Sequence, residues 1–133
     1  MIGELKLGQE ALEEAFRRIA FNVMARNCDD HTKNLSFLLP QEGPWKLAPA
    51  YDVSYAHNPG GEWTYQHLMS VNGKFKDITR KDLLVVADRF GIGTAVKLLK
   101  AVHEAVAAWP GFAEEAGLPD ADRSRIQRDH LLL

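Results

Sequence analysis

The sequence predicts a mainly helical α+β domain: a helical bundle carrying one or two small β-hairpins. Three observations point to it. Several stretches hold apolar residues at spacings of three and four, the period of an amphipathic helix. Between the first of these and the rest lie short apolar runs broken by Pro and Gly, as in small hairpins. The chain has 133 residues, of which 46% are hydrophobic and 26% charged. That is the balance of one soluble globular domain, so residues 1–133 are read as a single unit.

The elements follow in chain order. Residues 9–26 form the first helix, with Leu12, Phe16, Ile19, Ala20 and Val23 on one stripe and Glu10, Glu13, Glu14, Arg17 and Arg18 mostly off it. Its acids come early and its bases late, which suits the helix dipole. Asn27 is a plausible stop, and the polar loop from Cys28 to Asn34 begins there. Leu35–Leu39 is short and apolar and is bounded by Pro40, so it reads as a buried strand. The turn "QEGP" leads to a return strand, "WKLAPAY". This hairpin would bring Asp29 near Asp52.

A second hairpin or an irregular flap is expected around Asn72-Gly73, a strong turn signal. Thr79 with Asp82 three residues on resembles a capping box. Leu83, Leu84, Ala87 and Phe90 supply the stripe of that helix, and Gly91 ends it. Thr94 caps the next helix, where Ala95, Leu98, Leu99, Val102, Ala105, Val106 and Trp109 keep register until Pro110. "GFAEEAG" is a short helix or turn, and Asp120 or Asp122 caps a last helix that runs towards "LLL". The three terminal leucines are expected to dock on the body.

Charge and composition remove several function classes. A net charge of -2 and a pI near 6.2 give no footprint for direct nucleic-acid binding or an anionic membrane. No apolar run approaches the ~20 residues of a membrane span. The N-terminal residues "MIGELKLGQEALEEAF" lack the apolar core of a signal peptide. A lone cysteine, Cys28, forms no internal disulfide, and a cytoplasmic protein is expected.

The chemistry gathers in "NCDDHTKN", residues 27–34. Phosphoryl transfer needs a carboxylate that accepts or orients the proton of the attacking hydroxyl. It also needs a neutral oxygen donor for Mg²⁺, and a second carboxylate to hold the metal against the nucleotide phosphates. Protein kinases place the first two as Asp-x-x-x-x-Asn on one loop and bring the third from a later segment. Asp29 and Asn34 have that spacing, and Asp52 follows the hairpin. Lys33 adds a positive charge able to meet a transferring phosphoryl group. The spacing alone is weak; helix, loop, short hairpin and then Asp is a stronger signal.

"DDHTKNLSFLL" followed by "WKLAPAYDVS" resembles the C-terminal lobe of HipA-type serine/threonine kinases, the toxin halves of toxin–antitoxin pairs. The shared pattern is close to Asp-x-His-x-Lys-Asn, then Leu-x-Pro-x-Tyr-Asp, here Asp29, His31, Lys33, Asn34 and Leu47, Pro49, Tyr51, Asp52. "LMSVNGKFKDI" is similar to a segment that follows in the family. The likeness runs from about residue 9 to about residue 107. It implies a kinase-like C-lobe with ATP and Mg²⁺ as cofactors. Asp29 would be the catalytic base, assisted by Lys33, and Asn34 and Asp52 would be the metal ligands. His31 and Lys33 would support the loop or the phosphates. The substrate would be a protein hydroxyl, and the partner a DNA-binding antitoxin of the HipB type.

Two departures stand out. Most kinases have Asp-Phe-Gly where this chain has "YDVS". No Gly-rich phosphate loop and no strand with a nucleotide lysine precedes the first helix. The nucleotide-binding N-terminal lobe is therefore expected to be missing from this chain, and the chain alone to transfer little or no phosphate.

Plainer readings stand beside these. Asp30 reads as an exposed neighbour or a capping group. Asn34 can make an Asx turn, Asp52 can cap a short helix, and Lys33 can simply be solvated. Trp45 and Tyr51 read as core, and Cys28 as a small packed residue. His57 and His67 receive no role. A metal-dependent hydrolase using Asp and His ligands, or a kinase lobe kept as a non-catalytic interaction module, are the rival functions.

Overall fold

The computed structural model describes residues 1–133. Five helices and one two-stranded antiparallel sheet make it a mainly helical α+β fold, as expected. The helices are α1 (Gly8–Met24), α2 (Arg80–Arg89), α3 (Ala95–Ala107), α4 (Trp109–Glu115) and α5 (Asp120–Asp129). The strands are β1 (Phe37–Leu38) and β2 (Lys46–Leu47), paired Phe37 to Leu47 and Leu38 to Lys46.

α1 and α3 pack along one another and supply most of the core. Phe16, Ala20, Val23 and Met24 meet Leu98, Leu99, Val102 and Val106, with Leu83 and Ala87 of α2 closing one side. Each fully buried Leu or Phe contributes about 1.5–3 kcal/mol through removal of apolar surface from water. Leu12 and Ile19, on the expected stripe, are partly buried against this cluster. Leu131 and Leu133 also pack on it, and the Leu131 amide donates to the Met24 carbonyl at 2.8 Å. Two of the three terminal leucines therefore dock on the body, while Leu132 is exposed.

The ends of the helices follow local rules, with corrections. α1 ends at Met24, three residues before Asn27. Arg26 takes the left-handed conformation (φ 58°), and the Asn27 amide reaches back to the Asn22 carbonyl at 2.9 Å. This is a Schellman cap built on an arginine. The Thr79–Asp82 capping box is complete. Gly91 (φ 65°) closes α2, with the Ile92 amide on the Ala87 carbonyl at 2.9 Å. Thr94 does not cap α3 through its side chain, and neither Asp120 nor Asp122 caps α5, which begins at Asp120 after Pro119. Pro110 sits in the first turn of α4, where its missing N–H costs nothing. α3 has already ended at Ala107, so Trp109 belongs to α4.

The hairpin expectations need more revision. The strand expected over Leu35–Leu39 is only two residues long, and it is not buried. Leu38 and Leu39 are 52% and 58% exposed. The sheet has no third strand, and its outer face meets solvent at Leu38. Trp45 and Tyr51 are likewise exposed rather than core, and so is Phe90, which lies beyond the last turn of α2. Asn72-Gly73 does turn the chain, with positive φ at both residues, as a type I′ turn requires. It closes a single Val71–Lys74 bridge in an irregular flap.

Candidate active site

The loop begins where α1 ends. Its first residues are held by backbone pairing to a distant segment. The Cys28 amide donates to the Ala56 carbonyl at 3.0 Å and the Ala56 amide to the Arg26 carbonyl at 3.1 Å, a parallel bridge between Asn27 and Ala56. Asn27 is buried. Its Nδ2 donates to Asn22 Oδ1 at 3.1 Å and to the Asp52 carbonyl at 3.3 Å. One amide side chain thus joins α1, the loop and the Asp52 segment. Asp52 is exposed and left-handed (φ 54°). That conformation is uncommon outside glycine and is tolerated best by Asp and Asn.

These contacts bring Asp29 and Asp52 together. One ligand atom from each of Asp29, His31 and Asp52 lies within 4.8 Å of the other two. His31 Nε2 is 4.0 Å from Asp29 Oδ1. Thr32–Asn34 form a 3₁₀ turn that carries Asn34 back over the loop. There its Nδ2 donates to the Asp29 carbonyl at 3.0 Å. The amide nitrogen is spent on bracing the loop, so the side-chain oxygen is left to accept or ligate. Tyr51 donates its hydroxyl to the Lys33 carbonyl, tying the two segments once more. Asn34, His31, Asp52 and Tyr51 line a small cleft with Asn27 and Asp30. The Lys33 side chain is exposed and forms no ion pair or hydrogen bond, so it is not drawn into the carboxylate cluster.

Asp30 corrects the reading from sequence. It is 5% exposed and central. Its Oδ2 meets His67 Nδ1 at 2.9 Å, and its Oδ1 accepts from the Leu68 and Met69 amides at 2.8 and 3.1 Å. A buried carboxylate with three donors is well compensated, and it clamps the Val71–Lys74 flap to the loop. His67, given no role from sequence, is the partner and is itself 1% exposed. Its position is set by tertiary folding, and no spacing in the sequence signals it. The loop thus rests on α1, the 52–56 segment and this clamp. The strand that follows the loop is too short and too exposed to support it.

Cys28 is fully buried, and burial pushes its thiol up to about 11. A thiol held neutral is a packing residue and not a nucleophile.

The donor set suits a hard cation. Two carboxylates and a free amide oxygen are the ligands Mg²⁺ prefers, with waters or phosphate oxygens completing an octahedron. His31 adds a nitrogen that a softer divalent metal would use.

Comparison with curated proteins and with solved structures finds no match. A family model described as the HipA-like C-terminal domain matches residues 1–109. That region holds α1, the loop, the sheet, the flap, α2 and α3, and leaves α5 outside. On a match spanning most of its length, and with the two expected motifs meeting at one cleft, the chain belongs to the HipA-like C-terminal domain family.

Proposed function

We propose that this domain is the catalytic lobe of a HipA-type protein serine/threonine kinase, which moves the γ-phosphoryl group of ATP to a protein hydroxyl. The single observation that carries the reading is the approach of Asp29 to Asp52, with Asn34 braced on Asp29. Asp29 accepts or orients the proton of the attacking hydroxyl. Asn34 Oδ1 and the Asp52 carboxylate would hold Mg²⁺, which would supply positive charge against the nucleotide phosphates. His31 orders the loop beside Asp29. Lys33, free in solvent, is available to an incoming phosphate. The protein substrate approaches from the exposed side, and an antitoxin of the HipB type is the expected regulatory partner.

The 133 residues form one lobe, and phosphotransfer needs a second that cradles the nucleotide. The 133-residue chain alone is expected to transfer little or no phosphate. Supplied with a nucleotide-binding lobe, it is expected to label a protein hydroxyl from γ-labelled ATP, with at least a ~100-fold loss in Asp29→Ala, the scale of removing a general base. Equal labelling by Asp29→Ala would overturn the assignment.

A metal-dependent hydrolase is favoured by one observation, the presence of His31 in the carboxylate cluster. Zn²⁺ or Mn²⁺ bound tightly without nucleotide, and released in His31→Ala, would support it over the kinase reading.

A further inference from the structure

Outside the cleft, a polar cluster joins α5 to the start of the loop. Asp129, the last residue of α5, accepts from the Tyr55 hydroxyl and faces His57 Nδ1 at 3.3 Å. The His57 side chain is 8% exposed, and its Nε2 meets the Arg26 guanidinium. An arginine only donates, so His57 Nε2 accepts and Nδ1–H donates to Asp129. Arg125, one helical turn before Asp129, lies over the Tyr55 ring at 5.7 Å. Burial opposes the Asp129 charge, yet the Tyr55 and His57 hydrogen bonds and the Arg26 charge hold its carboxyl below the usual range.

The chain positions matter. Arg26 is the left-handed residue that ends α1, three residues before Asp29. Tyr55 and His57 flank Ala56, whose backbone pairs with both Arg26 and Cys28. Asp52, three residues before Tyr55, is tied to the same place through Asn27. The relay from Asp129 thus grips both backbones that carry the carboxylate pair. The family model stops at residue 109, so this grip comes from a helix outside the matched region.

We propose that Asp129 is a positioning residue, through which α5 sets the approach of the Asp29 and Asp52 segments via Tyr55, His57 and Arg26. The inference rests on the metal-site reading for its functional consequence, and not for the mechanical link. Asp129 touches no reacting group. It acts by fixing the pairing of residues 26–28 with residue 56, which in turn fixes where the ligand-bearing segments lie.

The test compares Asp129→Asn with Asp82→Asn in the 133-residue chain. Asp82 caps α2 and touches none of the relay, so its variant controls for lost stability. Two quantities are read: amide hydrogen exchange at Cys28 and Ala56, and Mn²⁺ affinity by electron paramagnetic resonance. In Asp129→Asn, exchange at Cys28 and Ala56 is expected to quicken at least ~10-fold, with α3 amides unchanged, and Mn²⁺ to bind ~10-fold more weakly, the usual scale for outer-shell changes. Asp82→Asn is expected to alter neither. Unchanged exchange at Cys28 and Ala56 in Asp129→Asn overturns the link. Faster exchange with unchanged Mn²⁺ affinity overturns the positioning role. If the parent chain binds no Mn²⁺, the metal-site reading fails, and the exchange result still decides the link. A variant too unstable to fold is replaced by Tyr55→Phe, which removes one hydrogen bond to Asp129 and is judged by the same readouts.

Discussion

Two regions of this molecule are held together by different forces. The α1–α3 bundle is held by apolar burial, with Phe16, Leu83 and Leu99 almost wholly removed from water. The segment from Arg26 to Thr79 contains one two-stranded sheet and a 3₁₀ turn, and carries every candidate site residue. It is organised by polar side chains that reach distant backbone: Asn27 to Asp52, Asp30 to Leu68 and Met69, Tyr51 to Lys33. Apolar packing tolerates small displacements, whereas hydrogen bonds fix atoms to within a few tenths of an ångström. The bundle therefore supplies stability, and the polar segment supplies geometry.

Leu99→Ala should show the largest effect on this contrast. Leu99 is fully buried at the α1–α3 contact, so its truncation should cost about 2–5 kcal/mol, read as a lower urea midpoint. Asp30→Ala comes next. It strands the His67 imidazole and the Leu68 and Met69 amides, and a loss of about 1–3 kcal/mol is expected. Its exchange rates should rise at Leu68 and Met69 while α3 stays protected. If Asp30→Ala destabilises the chain more than Leu99→Ala, the division between a stabilising bundle and a positioning loop is wrong.

The smallest effect concerns acid. Hydrogen bonds from Lys74, Thr79 and Asn72 hold the Asp82 carboxyl well below the usual carboxylate range. A carboxyl with a lowered folded-state value contributes stability above its unfolded value of about 3.9, and that stability is lost as pH falls through the folded value. The thermal midpoint of the parent chain should exceed that of Asp82→Asn at pH 7, and the gap should narrow below about pH 4. A gap that stays constant down to pH 2 would mean that the ionised cap adds nothing.

The two regions also differed in how much of them was legible in the sequence. Helix period marked Phe16, Ala20 and Val23, and Leu98, Leu99 and Val102, because a packed helix must present a stripe. The capping box and Gly91 were visible because those signals are local. Asp29, Asn34 and Asp52 stood out by spacing and family pattern, and the chain does bring Asp29 and Asp52 together. Asp30 did not stand out. An acid next to a helix end is commonly solvated, and its burial depends on His67, far along the chain. Leu35–Leu39 misled for the opposite reason. Apolar residues in a short run suggest burial, yet the outer face of the sheet meets solvent at Leu38. The relay to Asp129 was equally hidden, since no local rule links residue 26 to residue 129.

No helix in the chain is long and apolar enough to cross a membrane. The proposed chemistry rests on Asn34 and Asp52 in the cleft, with Asp29 close to Asp52, and the most direct measurement is the water-proton relaxation of Mn²⁺ titrated with the chain. Binding at the cleft should enhance relaxation with the parent protein. The enhancement should vanish in Asn34→Ala and Asp52→Ala and persist in Asp77→Ala, a change outside the cleft. No enhancement with the parent protein, or the same enhancement in all three variants, would contradict a metal site there.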